Sequence, residues 1–531
     1  MGKVTLTLVS QEATAVPKSR GPAHTCSSIR VALLLFLFLN CVYLLTSTGR
    51  VRSMDEIDSV LQADSLLLRH TTAIPQVVNS SILGFGKTDR HGIQRSAWPA
   101  GHALLVLPWH ALGHYLLAKL PGITPDNADL AFTAATCWSS ATFSALAVAA
   151  YFLLVLGLGL DPQSSLACSL LLGFSTPVFV YSGWLYSEPA SVAIFLIAAL
   201  LLFGPGKPIP LSHLLFASLL LAFSIHVRPN NMVTVFVFLG AAFVLDRSNG
   251  EAKFRYRTTA VLVAMVAASG TLYLARNYAF FGNPFDFGVP ATDVTGKELE
   301  SWHNPVWKGV FGFLFSPGKS AILFCPAIIL GIIGLPLLWQ RNRPLAVLCG
   351  TAPLVNLFFF SFRTQWEGGY CYGPRYLVVS LALLTVPVAA LFLTPPRWLR
   401  PAFWAVAITG FLVQAIGLST NVLEDMIRNH YYDGHWDYRM SYSPITGQLR
   451  LMWKYLHHHP QHLGLGWDRW FVFLRSAGVN PRPLIGLVLL FLLGAAIFGH
   501  QTWRAVQKCQ YASSPLTCRQ IFVGSTESTS G

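Results

Sequence analysis

The sequence predicts an all-α polytopic membrane protein: a bundle of about twelve transmembrane helices with short interfacial helices in its extracytoplasmic loops. Two observations carry this expectation. Hydrophobic residues make up 53% of the chain and charged residues only 11%, against about a quarter charged in soluble domains, and mean hydropathy is +0.50. Apolar runs of about 18 to 20 residues, each long enough to cross a bilayer, also recur from end to end.

The runs lie near 31–48, 128–157, 165–182, 187–204, 211–226, 231–246, 258–278, 322–339, 344–361, 377–393, 402–420 and 484–500. The first lacks a short basic leader and a small-residue cleavage site, so it reads as a retained helix. Orientation follows from short loops rich in Lys and Arg, which stay in the cytoplasm. Lys18, Arg20 and Arg30 precede the first run. Arg247, Lys253, Arg255 and Arg257, then Arg341 and Arg343, then Arg397 and Arg400, and finally Arg504 and Lys508 follow later ones. An even number of spans puts all of them on the cytoplasmic side. The chain then divides into a cytoplasmic segment 1–30, a membrane core 31–420 containing an external loop 49–127, an external loop 421–483, a last span 484–503 and a cytoplasmic tail 504–531. The Ser- and Thr-rich composition after Phe522 predicts partial disorder there. Segments 281–321 and 362–376 are external as well.

The stretch 98–120 is apolar enough to resemble a span. It holds Pro99, His102, Pro108, His110 and His114, however, and counting it would reverse the charge pattern. It reads as a helix lying on the outer surface, with its N-terminal end near Asp55. The net charge of +14 then expresses topology, and no aromatic-basic module points to nucleic acid. Nine cysteines show no metal-ligand spacing. Only Cys371 falls clearly in an external loop, so no disulfide framework is indicated. No internal repeat is visible.

The acids after the first span are the leading chemical feature. Asp55, Glu56 and Asp58 follow Arg50 and Arg52, and carboxylates at a membrane face are either solvated or functional. They also fit the negative first turn of a helix, where the dipole favours acids. Asp55 and Glu56 are adjacent, so they need not face one site.

Arg375 follows Gly373-Pro374 at the outer start of a span, where a planar guanidinium can hold a phosphate or snorkel to headgroups. Arg228, between two short runs, has the same two readings. Lys319 lies in Pro317-Gly318-Lys319-Ser320, but Gly312 and Gly318 enclose five residues rather than the four of a nucleotide loop. A phosphate or headgroup contact fits it better. Glu188 opens a span and is costly against lipid. It contacts a sugar, binds a cation or pairs with an Arg, and pairing is the simplest of these. Trp366 and Glu367 stand in a Gly-rich external loop, where the indole either stacks on a sugar or anchors at the interface. The run His457-His458-His459 with His462 lacks a carboxylate or Cys at ligand spacing and reads as headgroup contact, so no metal ligands are assigned. Asn79-Ser80-Ser81 is a glycosylation sequon, relevant only in a eukaryotic secretory membrane.

Taken in order, the external motifs resemble multi-span glycosyltransferases of the GT-C fold, nearest the family 39-like protein mannosyltransferase and aminoarabinose transferase type. The motifs are Gly49-Arg50 to Asp55-Glu56, Leu61 to Pro75 and Trp98-Pro99-Ala100-Gly101-His102. Ser187-Glu188-Pro189, Arg228-Pro229, Arg276-Asn277-Tyr278 and Gly282-Asn283-Pro284-Phe285 follow. Phe315-Ser316-Pro317-Gly318-Lys319, Trp366-Glu367-Gly368-Gly369 and Gly373-Pro374-Arg375-Tyr376 complete the set. The resemblance covers roughly residues 45–380.

The resemblance implies transfer of a sugar from a polyprenyl or dolichyl phosphate to a glycan, lipid or protein acceptor at the outer membrane face. It implies Asp55 as the base, with Glu56 orienting it or the acceptor. Arg375, Arg228 and Lys319 would contact the donor phosphate, and His102, Glu188, Trp366 and Glu367 the sugar or acceptor. The expected location is a bacterial inner membrane with the site facing outward. Dependence on a divalent cation stays open, and membrane lipid is the remaining partner. Asp55 and Arg375 are expected to line one cavity about a sugar across. The main rival is a transporter or lipid flippase, which would place ionisable groups near the midplane and often repeat its halves. A non-catalytic envelope scaffold is a further alternative.

Overall fold

Prolines and capping residues cut the apolar runs into the helices observed. The computed structural model describes residues 22–77, 86–125, 127–204, 209–248, 256–289, 302–428, 438–457 and 467–512. The sequon at Asn79, His458, His459, His462 and the tail after Ala512 lie outside the described residues.

The helices are α1 (Pro22–Thr46), α2 (Met54–Arg69), α3 (Gly101–Tyr115), α4 (Ala128–Gly157), α5 (Pro162–Ser175), α6 (Pro177–Tyr181) and α7 (Glu188–Phe203). Then come α8 (Leu211–Val227), α9 (Asn231–Ser248), α10 (Arg257–Phe281), α11 (Val306–Phe315), α12 (Ala321–Phe324), α13 (Ala327–Arg341) and α14 (Arg343–Ser361). The last are α15 (Val378–Thr385), α16 (Val388–Leu393), α17 (Leu399–Ser419), α18 (Val422–Arg428), α19 (Pro444–His457), α20 (Trp470–Ser476) and α21 (Pro481–Ala512).

Helix occupies all twelve predicted runs, and among the described residues eight helical segments are long and apolar enough to cross a membrane. This is a multi-pass membrane protein. The remaining runs are shorter or broken, and the breaks have local causes. The run 165–182 divides where Pro177 cannot donate and the Thr176 side chain caps Val178 N. The run 322–339 divides at Cys325-Pro326, and 377–393 divides before Pro387.

The described fold is otherwise helical, apart from a two-stranded hairpin, β1 (Gly86–Thr88) and β2 (Gln94–Ser96). Its turn is held by Asp89 Oδ1, which accepts from His91 N and Ile93 N. Helix α4 lies centrally, packed by α1, α3, α5 and α7, while α1 runs along α21. Leu215, Phe216 and Leu219 of α8 and Leu489, Leu490 and Leu493 of α21 stay exposed. An apolar surface of this kind suits acyl chains rather than water.

Helix α3 forms where the sequence expects a surface helix. Its 15 residues span about 22 Å, short of a hydrocarbon core.

Candidate active site

Helix α2 begins with a complete capping box. The Ser53 side chain accepts from Glu56 N, and Glu56 Oε2 accepts from Ser53 N (2.9 Å) and Arg52 N (2.6 Å). Glu56 Oε1 accepts from Leu185 N at 3.1 Å. Both oxygens of Glu56 are thus engaged by backbone, and the residue is fully buried. Burial pushes its carboxyl up, against the opposing charge of Arg52. Glu56 acts as a brace between α2 and the segment before α7, and its neighbour Asp55 points elsewhere.

Asp55 is ion-paired with Arg375 Nη2. Arg375 Nε also donates to Glu188 Oε1 (2.8 Å), and the same oxygen accepts from Arg228 Nη1 (2.8 Å). Two carboxylates and two guanidiniums from four distant segments therefore form one network. The structure brings Asp55 and Arg375 into direct contact, where the sequence suggested a gap one sugar wide. Asp55 is the most accessible member, with its side chain 31% exposed against 9% for Arg375. Burial pushes the Asp55 carboxyl up, but the charge and hydrogen bond of Arg375 outweigh this and hold it below the usual range. Glu188 Oε2 is buried without a hydrogen-bond partner among the described residues.

Aromatic rings frame the cations. The Arg375 guanidinium carbon lies 3.8 Å from the Tyr186 ring centre, and those of Arg228 and Arg363 each lie 5.4 Å from that of Tyr376. Sequence reading missed Arg363, whose charge also acts on Asp55.

Lys319 is fully buried and donates to the carbonyls of Gly369 (2.9 Å) and Cys371 (3.0 Å). It ties down the loop that ends at Arg375. Gly369 and Gly373 in that loop have φ of 75° and 69°, a region that favours glycine. A Cβ on Gly373 would also come within 2.7 Å of the Phe324 ring. The Trp366 indole is buried edge-on to Phe313 and against Gly312, so it packs this loop. Glu367 is half-buried beside it. Cys371 is free and wholly buried, so an external thiol reagent does not report on its side of the membrane.

His102, at the start of α3, shares a 2.8 Å hydrogen bond with Ser59 Oγ, and Ser59 donates to the Asp55 carbonyl (2.9 Å). The N-terminal end of α3 thus approaches Asp55 as expected. Burial pulls the His102 imidazole down to about 4, so it is neutral at pH 7. Asp58 lies one turn from Asp55. Its Oδ2 accepts from Ser96 Oγ (2.8 Å), delivered by the hairpin, and from Gln62 Nε2 (2.5 Å). Burial pushes Asp58 up to about 7.

A second charged cluster braces the approach to α2. Asp468 accepts from Arg50 Nε (2.7 Å) and from Arg52 Nη2. Trp470 donates from its backbone to Ser47 O (3.0 Å) and from its indole to Leu44 O (2.9 Å). Nothing in the sequence beyond residue 420 suggested this contact. Next to the site, an apolar cleft of about 370 Å³ is lined by Leu104, Phe223, Leu272 and Phe280, with His226 and Arg276 on its wall.

No protein-family model matches the sequence, and no curated protein matches it. Among solved structures it is similar to ArnT from Cupriavidus metallidurans. The crystal structure bound to undecaprenyl phosphate matches with a TM-score of 0.41 and 14% identity, over 91% of this chain and 78% of that one. The apo structure matches with a TM-score of 0.44 and 14% identity, over 90% and 77%.

Proposed function

We propose that the chain is a GT-C-type glycosyltransferase that moves a sugar from a polyprenyl or dolichyl phosphate to an acceptor at the outer membrane face. The observation that carries this reading is the buried Asp55–Arg375–Glu188–Arg228 network with one accessible carboxylate. Its two negative and two positive charges cancel. The charge of Arg363 also acts on Asp55.

The resting ion pair gives the mechanism its order. The donor phosphate competes with Asp55 for Arg375, which offers it a planar fork. Asp55, released, takes the proton of the acceptor hydroxyl as that oxygen attacks the anomeric carbon. The new C–O bond forms as the bond to the phosphate oxygen breaks, with inversion. Arg375 and Arg228 hold the charge that develops on the lipid phosphate. Glu188 Oε2 accepts from a sugar hydroxyl, which would satisfy its unpaired oxygen. Glu56, His102, Lys319 and Trp366 act as positioning residues, and Glu367 lines the rim. The apolar cleft suits a prenyl chain or an acyl acceptor. In this reading residues 31–420 form the catalytic core and 421–483 an external brace, with 1–30 and 504–531 on the cytoplasmic side of a bacterial inner membrane.

The test is incubation of purified protein with radiolabelled polyprenyl-phosphate sugars and membrane extract. The reading expects label on an acceptor and an equal amount of free lipid phosphate. Labelled lipid that only changes leaflet, with its sugar intact, would instead support the flippase.

A further inference from the structure

We propose that Asp64, His110 and His114 bind one divalent transition-metal ion of the zinc class, which clasps α2 to α3. The three residues each offer one ligand atom, all within 4.8 Å of one another. His114 Nε2 lies 3.2 Å from His110 Nε2 and 3.5 Å from Asp64 Oδ1, and His110 Nε2 lies 3.9 Å from the same oxygen. A tetrahedral zinc ion with bonds of about 2.0–2.1 Å separates its ligand atoms by about 3.3 Å. The spacing therefore fits three corners of such a site, with water at the fourth.

The ligands are also oriented. His110 and His114 are four residues apart on α3, so they share a face. His110 is fully buried, and its Nδ1 is 2.9 Å from Thr136 Oγ1. The Thr136 hydroxyl donates to Phe132 O (2.6 Å), so it accepts from His110 Nδ1–H. That fixes the tautomer with a lone pair on Nε2, the arrangement typical of a metal-bound histidine. His114 stacks on the Phe132 ring at 4.0 Å. Asp64 Oδ2 is held by Arg69 Nη1 (2.5 Å) and Gln76 Nε2 (2.8 Å), which leaves Oδ1 facing the imidazoles. The side chains of Asp64 and His114 are partly exposed, giving an ion a way in. Two imidazoles and a carboxylate suit zinc and its neighbours rather than magnesium or calcium.

Asp64 lies nine positions beyond Asp55, or about 14 Å along α2. The ion would be structural, holding the far end of the helix whose near end carries Asp55. This inference does not rest on the transfer reaction.

The experiment uses full-length protein in detergent, in a background where His457, His458, His459 and His462 are changed to Asn to remove the other histidine run. After chelator treatment the protein is titrated with zinc sulfate, and separately with cobalt(II). The expected results are one zinc per chain, a higher melting temperature with zinc, and the visible d–d bands of a low-coordinate nitrogen and oxygen site with cobalt. Adding His114→Ala or Asp64→Asn should abolish all three. Thr136→Val should weaken zinc binding about 10- to 100-fold. The proposal is overturned if the background protein binds no zinc, if cobalt gives only the weak bands of its aquo ion, or if His114→Ala and Asp64→Asn bind as much zinc as the background.

Discussion

Two ionic clusters flank the start of α2, and they differ in what they leave accessible. In the Arg50–Asp468–Arg52 cluster both oxygens of a carboxylate that is 1% exposed are taken by arginines. Trp470 packs on Gly49, whose φ of 69° and lack of Cβ permit that approach. This cluster closes the external segment onto the chain that enters α2. In the Asp55–Arg375–Glu188–Arg228 cluster one carboxylate remains accessible and one buried oxygen has no hydrogen-bond partner among the described residues. Arg52 Nε and Nη1 of the first cluster are likewise buried without a hydrogen-bond partner among the described residues. Both clusters join segments hundreds of residues apart, but only the second presents an accessible carboxylate, Asp55 at 31% against Asp468 at 1%. Neither pairing nor an unpartnered buried atom is therefore by itself a marker of function; an accessible carboxylate within a rigid charged frame is the better one.

The contrast predicts opposite mutant phenotypes, the most disruptive first. Asp468→Ala leaves two largely buried guanidiniums, 14% and 3% exposed, without their carboxylate. Thermal or denaturant unfolding should show a loss of about 3–5 kcal/mol. Asp55→Asn, at the accessible end of its cluster, should change stability by less than about 1 kcal/mol, because Arg375 keeps Glu188. A large stability loss in both variants would erase the distinction.

Arg375→Ala should weaken donor use about 10- to 100-fold, the scale of one charge-assisted hydrogen bond. It should act on the donor KM more than on the acceptor KM. Arg375→Lys should recover only part of this, since an ammonium lacks the planar fork. Full recovery by Lys would reduce Arg375 to a generic charge.

A further effect is on pH dependence. Asp58 has a folded value of about 7, above the ordinary 3.8. The folded state thus holds its proton more tightly, so this contribution is complete below about 4 and is lost as pH rises through about 7. The wild-type melting temperature should fall between pH 4 and 8, and Asp58→Asn should flatten that fall. An unchanged slope in the variant would mean that Asp58 stays ionised.

Much of this was legible in the sequence because hydropathy and charge asymmetry act over whole helices. Every predicted run carries helix, and α3 forms as a short helix with its first turn near Asp55. Asp55, Glu188, Arg228 and Arg375 do meet, and Glu188 pairs with arginine as its cost in lipid suggested. The losses are physical too. A hydropathy window averages over Pro177 and Pro387, so it fuses helices that a missing N–H separates. Asp468 meets Arg50 across 418 positions, and a lone Asp in an aromatic loop has no local signature. The spacing of His110 and His114 was visible, but Asp64, 46 positions before His110, shares no pattern with them. Trp366 and Lys319 were read as ligand contacts from their motifs. Only three-dimensional packing shows them holding the loop before Arg375.

The central claim is that Asp55 is the base and Arg375 its resting partner. The most direct test is single-turnover transfer from a radiolabelled polyprenyl-phosphate sugar by Asp55→Asn, measured beside the wild type at matched melting temperature. The account predicts a rate about 100- to 10,000-fold lower, with the donor still bound. Transfer at the wild-type rate by a folded Asp55→Asn protein would contradict it.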